Sequence, residues 1–139
     1  MNNYVVIDTN VIVSAFLATD RSESVPFSVV NAVFAGKITP VLTKEILEEY
    51  RDVLARKKFG FDHGMIELFL SELMAQSVFI NPSSTRKVLP DPKDLCFYDA
   101  AVVYGSVGGL LVTGNMKHYP NCPFVVTLVQ LMERLFSVN

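Results

Sequence analysis

At 139 residues, half of them hydrophobic and 11% aromatic, the chain is too apolar for a disordered or collagen-like protein and is sized for a single domain, 1–139. Twelve basic against fourteen acidic side chains leave a formal charge of −2, so any nucleic-acid contact has to come from local placement and not from net charge. Cys96 and Cys122 lack metal-ligand spacing and lie in apolar surroundings, which predicts reduced thiols in a cytoplasmic protein. No secretion signal is expected at the N-terminus, and no apolar run approaches the ~18 residues of a membrane span.

Residues 4–7, Tyr-Val-Val-Ile, read as a buried strand that delivers Asp8 at its carboxyl end. A short helix follows over Asn10 to Ala18, with Thr9 or Asn10 as its cap. A polar loop ends at Ser24, an N-cap with Pro26 in the first turn, and Gly36 stops the helix that begins there. Ile38 to Leu42 is a short strand in which Pro40 predicts an edge position or a strand end. Thr43 caps a long amphipathic helix to about Lys58, and Asp62 caps the next one.

Val78 to Ile80 is a further short strand, and Asn81 to Pro90 is a loop. Asp91-Pro92-Lys93-Asp94 opens a helix through Tyr104, with Asp91 at N-cap and Asp94 at N3 as an acidic version of the capping box. Leu110 to Thr113 and Phe124 to Val126 are the last strands, and Thr127 caps a closing helix to Phe136. Short apolar strands alternating with helices predict a three-layer α/β/α sandwich around a mostly parallel sheet. Ligands of such sheets bind beyond the carboxyl ends of the strands. Asp8, Thr43 and Thr113-Gly114-Asn115 all fall there.

Helical geometry sorts the acids on the Thr43 helix. With Ile46 at zero, the apolar stripe runs from Val53 at about −20° to Leu47 at about 100°; Glu49 borders it at about −60°, and Glu48, at about 200°, faces solvent. An acid abutting a core is retained chiefly when it is paired or coordinates a metal, which makes Glu49 a candidate. Asp94 is explained equally by helix capping or by chemistry. Asp99 lies about 140° further round that helix, so only one of the two belongs to a site with Asp8.

Ile-Asp-Thr-Asn-Val at 7–11, Glu-Ile-Leu-Glu-Glu-Tyr-Arg-Asp-Val-Leu at 45–54, Asp-Pro-Lys-Asp-Leu-Cys-Phe-Tyr-Asp-Ala-Ala at 91–101 and Leu-Val-Thr-Gly-Asn at 111–115 together resemble the successive motifs of PIN-domain proteins. In particular they are similar to the branch that forms toxin components of toxin–antitoxin systems. The resemblance spans almost the whole chain in the family's order. It implies a Rossmann-like sandwich and Mg²⁺- or Mn²⁺-dependent cleavage of RNA by clustered carboxylates. Carried over by motif, Asp8 matches the first acid, Glu49 the second and Asp94 the third, with Asp99 fitting the third position less well. Many relatives carry an aspartate at the fourth acidic position, where this chain has Asn115, whose oxygen can ligate a metal without adding negative charge.

On this resemblance Asp8, Glu49, Asp94 and Asn115 are the expected metal ligands, and Thr9, Asn10 and Thr113 are expected to support them. RNA, an antitoxin protein and a second copy of the chain in a homodimer are the partners it implies; no membrane is. Arg56-Lys57-Lys58, Arg86-Lys87, Lys93 and Lys117-His118 are placed where they could contact phosphates, or could serve as ordinary solvated surface. A metal-activated water leaves His118 little to do as a general base. The alternative is a PIN-like domain that binds RNA or a partner without cutting. A nucleotide-binding module of another kind is disfavoured, because no glycine-rich phosphate loop follows the first strand.

Overall fold

The computed structural model describes residues 3–136. Its elements are β1 (Tyr4–Ile7), α1 (Thr9–Leu17), α2 (Val25–Phe34), β2 (Thr39–Leu42), α3 (Lys44–Leu54), α4 (His63–Gln76), β3 (Val78–Phe79), α5 (Leu95–Val103), β4 (Leu110–Val112), β5 (Val125–Val126) and α6 (Leu128–Leu135). The strands form one parallel sheet in the order β3-β2-β1-β4-β5. The connections from β1 to β2 and from β2 to β3 travel toward one edge and carry α1 to α4; the return to β4 carries α5, which packs on β1, β2 and β4. With right-handed crossovers the two sets fall on opposite faces, giving the three-layer α/β/α sandwich. Val5, Val6 and Ile7 are accordingly buried on both faces of the sheet, which explains why β1 is apolar without alternation.

Local signals set most helix starts. The side chains of Ser24, Thr43 and Asp62 accept from the backbone N–H of Phe27, Ile46 and Met65, and Thr127 and Gln130 close a full capping box. Gly36 ends α2 with φ +78°, a conformation that favours glycine. The buried face of α3 consists of Ile46, Tyr50, Val53 and Leu54, while Glu48 is exposed and Glu49 is half-buried at the margin, as the helical angles require. The helix stops at Leu54 and does not reach Lys58.

The first helix starts at Thr9 with Asp8, not Thr9 or Asn10, at its N-cap, and two further expectations change. β2 is an interior strand, not an edge, and Pro40 sits within it opposite Val5 of β1. The Thr39 N–H donates to Asn3 on the β1 side, and the Leu42 carbonyl accepts from Ile80 on the β3 side. Alternation along the strand therefore turns the nitrogen of Pro40 toward β3, whose pairing with β2 starts only at Val41, so no ladder bond is lost. The second change concerns Asp91 to Asp94. Pro92–Asp94 is a 3₁₀ turn, capped by the Asp91 side chain on the Lys93 N–H, and α5 begins after it. Asp94 occupies the N-cap position of α5, but its carboxylate makes no capping hydrogen bond.

Tyr50 ties α3 to the sheet at the end that matters for the site. Its ring is fully buried, and its hydroxyl donates to the carbonyl of Ile7, the residue before Asp8. Tyr50→Phe is expected to lower stability by about 1–2 kcal/mol, because a buried carbonyl loses its donor. Urea unfolding checks this; an unchanged midpoint would show that the carbonyl finds another partner.

Candidate functional site

β1 and β4 are neighbours whose onward connections diverge, one toward β2 and one toward β5. Divergence opens a crevice at their carboxyl ends, where an open α/β sheet binds its ligand. Asp8 ends one of these strands and Thr113 the other. The Thr113 hydroxyl donates to Asp8 Oδ2 at 2.8 Å, and the Tyr119 hydroxyl reaches the same oxygen at 3.3 Å. Asp8 stands at the N-cap position of α1, yet its side chain makes no capping bond. Its carboxylate is turned into the crevice instead of serving the helix.

Asn10 bridges the same gap, its Oδ1 accepting from the Gly114 N–H at 3.1 Å. A Cβ on residue 114 would lie 3.3 Å from that oxygen, so glycine keeps the bridge uncrowded. The Asn115 N–H donates to the Thr113 hydroxyl oxygen, and Asn115 Oδ1 caps the 3₁₀ turn Met116–His118 through the Lys117 N–H. Thr9 is buried, and its hydroxyl has no hydrogen-bond partner.

The 3₁₀ turn before α5 brings Asp94 to this place. Asp94 is only 8% exposed, and its Oδ2 is buried without a hydrogen-bond partner. His118 Nδ1 lies 3.0 Å from that oxygen as an ion-pair contact, outside hydrogen-bond alignment. Burial and then the charge of Asp8 push the Asp94 carboxyl up to about 6, against the pull of His118. Burial also raises Asp8, partly offset by the hydroxyls of Thr113 and Tyr119, the Thr9 amide and the charge of His118. Burial and both carboxylates hold the Tyr119 hydroxyl well above its ordinary range, so it stays a donor.

Glu49 stands on α3 at the edge of this group. Its charge is felt at Tyr50 and at Cys96, where those of Glu45 and Asp94 also register, and burial with these charges pushes the Cys96 thiol up to about 12. Asp99 lies elsewhere on α5. Its Oδ1 accepts from both the N–H and the hydroxyl of Thr85, at 3.0 and 2.6 Å, pinning the 81–90 loop. The structure therefore brings together Asp8, Asp94, Asn10, Thr113 and Asn115, with Glu49 at the margin and Asp99 committed to a loop.

Two residues join the site that the sequence did not assign to it. Tyr119 has no role in the sequence reading, and His118 enters it as a candidate phosphate contact with little to do as a general base, whereas the structure sets it against Asp94. Both follow Thr113-Gly114-Asn115 within one short turn, so their nearness in sequence to a strand end was the available signal.

The donor set suits a hard divalent cation. Among the described residues no three of His, Cys, Asp and Glu close into a metal cage. Mg²⁺ and Mn²⁺, however, are commonly held by one or two carboxylates with waters completing the shell. Two buried carboxylates acting on each other, with a histidine as the only cationic contact of Asp94 among the described residues, are an arrangement that a cation would stabilise.

No helix among the described residues is long and apolar enough to cross a membrane, and both cysteines are free. No curated protein matches the chain. Among solved structures it is similar to one titled as the crystal structure of VapBC2 from Rickettsia felis bound to a DNA fragment from their promoter, at 17% identity and a TM-score of 0.53, over 89% of this chain and 98% of that one. At that identity the likeness is one of fold. A family model described as PIN domain matches residues 4–117, and the chain belongs to the PIN domain family.

Proposed function

We propose that the chain is a divalent-cation-dependent endoribonuclease and the toxin of a toxin–antitoxin pair. The observation that carries this is the pair of buried carboxylates Asp8 and Asp94 at the β1/β4 crevice of a PIN domain, each raised in pKa by burial and Asp94 also by the charge of Asp8, with His118 as the one cationic contact of Asp94 Oδ2 among the described residues. Asp8 and Asp94 would hold Mg²⁺ or Mn²⁺. When bound, such a cation activates water and offsets the charge that builds on phosphate oxygens during hydrolysis. Thr113 and Tyr119 fix the orientation of Asp8, Glu49 ligates or orients the attacking water from α3, and Asn115 supplies a neutral auxiliary oxygen. His118, against Asp94, holds that carboxylate in place and can meet an RNA phosphate. The same reading implies a cytoplasmic protein, an antitoxin that blocks the crevice, and a homodimer.

Purified protein with Mn²⁺ or Mg²⁺ is expected to cut single-stranded RNA, and a chelator is expected to stop it. Identical RNA profiles with and without metal would end the catalytic reading.

A second reading, binding of RNA or a partner without cutting, is favoured by Asn115. This residue brings no charge, and its Oδ1 is already engaged by the Lys117 N–H. Asn115→Asp is expected to tighten Mn²⁺ binding on the order of tenfold by adding a charged ligand. A titration showing unchanged affinity would place the side chain outside the cation's reach.

A further inference from the structure

A cleft of about 620 Å³ opens beside Asp94, between the first turns of α3, the 3₁₀ turn Pro92–Asp94 and the 81–84 stretch of the loop pinned by Asp99. It is within the size range of small-ligand sites. Pro92, Lys93 and Leu95, the residues flanking Asp94 in sequence, form one wall, and Cys96, also in the lining, feels the charges of Glu49 and Asp94, so the cleft lies near the carboxylate crevice. Apart from Asp99, which is bonded to Thr85, its charged lining is mixed and exposed. Lys44 and Lys93 stand in it with Glu45 and Glu48, yet the ion pairs among the described residues are Arg51–Glu67 and His118–Asp94. Glu45 and Glu48 are one turn apart on the same face of α3. Glu45 also favours the helix dipole from the first turn, but Glu48 is too far along to do so. A ligand that satisfies such a lining presents an anionic group to the lysines and hydrogen-bond donors to the carboxylates.

A nucleotide does both. We propose that this cleft is a nucleotide subsite next to the cutting position, an inference that rests on the ribonuclease reading, and that Glu45 and Glu48 select bases bearing an exocyclic amino group. Ionised carboxylates only accept hydrogen bonds, so they take the N4 amino group of cytosine and repel the O4 of uracil at the same place. Lys44 and Lys93 meet the phosphate of the bound nucleotide as point charges. The wall opposite α3 is firm, because the Asp99 carboxylate holds both the N–H and the hydroxyl of Thr85.

The test uses full-length Asp8→Asn protein, so that bound RNA is not cut, titrated with fluorescent seven-nucleotide oligocytidine and oligouridine. Oligocytidine is expected to bind about tenfold more tightly, and adding Glu45→Gln with Glu48→Gln is expected to bring the two within about twofold, since a Gln amide both donates and accepts. Equal affinities before the glutamines are added, or a preference that survives them, would overturn the subsite. A preference lost with the glutamates in a protein whose wild type never cuts RNA would sink the ribonuclease reading and leave the subsite standing.

Discussion

Asp8→Asn is expected to reduce RNA cutting by about a thousandfold or more while leaving the protein folded, as befits loss of a charged group that acts with others as a unit. The reason for both halves lies in what Asp8 does not do. Asp8 is 5% exposed and stands where a helix cap would be, but its side chain makes no cap bond, so α1 loses little more than a favourable charge at its first turn when Asn replaces it. The amide oxygen of Asn can still accept from the hydroxyls of Thr113 and Tyr119. What disappears is the negative charge at the β1/β4 crevice and, with it, half of the pair that would hold the cation. Circular dichroism and thermal melting report the fold, and a gel of Mn²⁺-supplied RNA reports the cutting. An Asp8→Asn protein that cuts at the wild-type rate would remove Asp8 from the site.

Asp94→Asn is expected to abolish cutting and, in the absence of metal, to make the protein more stable. The Asp94 carboxyl is raised from its ordinary 3.8 to about 6, first by burial and then by the charge of Asp8. A carboxyl whose pKa is higher in the fold favours the folded state when protonated. That contribution is fully present below 3.8 and is lost as pH rises through about 6. Metal-free wild type should therefore melt at a higher temperature at pH 5 than at pH 7.5, with Asp8, also raised, adding in the same direction.

Asn cannot ionise, so the variant should lose the Asp94 share of this slope. At pH 7.5 it should gain on the order of 1 kcal/mol, or about 4 °C in melting temperature, a gain in stability bought with activity. Saturating Mn²⁺ should raise the wild-type melting temperature and leave the variant's unchanged, because only a protein that binds the ion in its folded state is stabilised by it. A wild type whose stability is flat between pH 5 and 7.5, or a variant that keeps the whole slope, would show that Asp94 is not under this electrostatic load.

What could be read from the sequence was set locally. The caps at Ser24, Thr43, Asp62 and Thr127 each need one side chain and a backbone N–H three residues ahead, and all four form. The margin position of Glu49 follows from 100° per residue on a helix whose apolar stripe is clear.

Long-range pairing was less legible. Pro40 argues for an edge until the late start of β3 is known, and that start depends on how far a two-residue strand reaches. Asp99 and Asp94 are five positions apart in sequence. Their different employment is decided by Thr85 on one side and by Asp8 and His118 on the other. Tyr119 joins Asp8 from 111 residues away, a contact that only the adjacency of β1 and β4 creates. Motif order selected the acids, while the hydroxyls and the histidine around them depend on tertiary placement.

The central claim is that Asp8 and Asp94 are a cation-binding pair. A crystal soaked in Mn²⁺ and measured at the manganese absorption edge tests it most directly. One anomalous peak within bonding distance of carboxylate oxygens from both Asp8 and Asp94, absent from Asp94→Asn crystals, is the result expected. No peak at saturating Mn²⁺, or a peak that touches neither carboxylate, would contradict it.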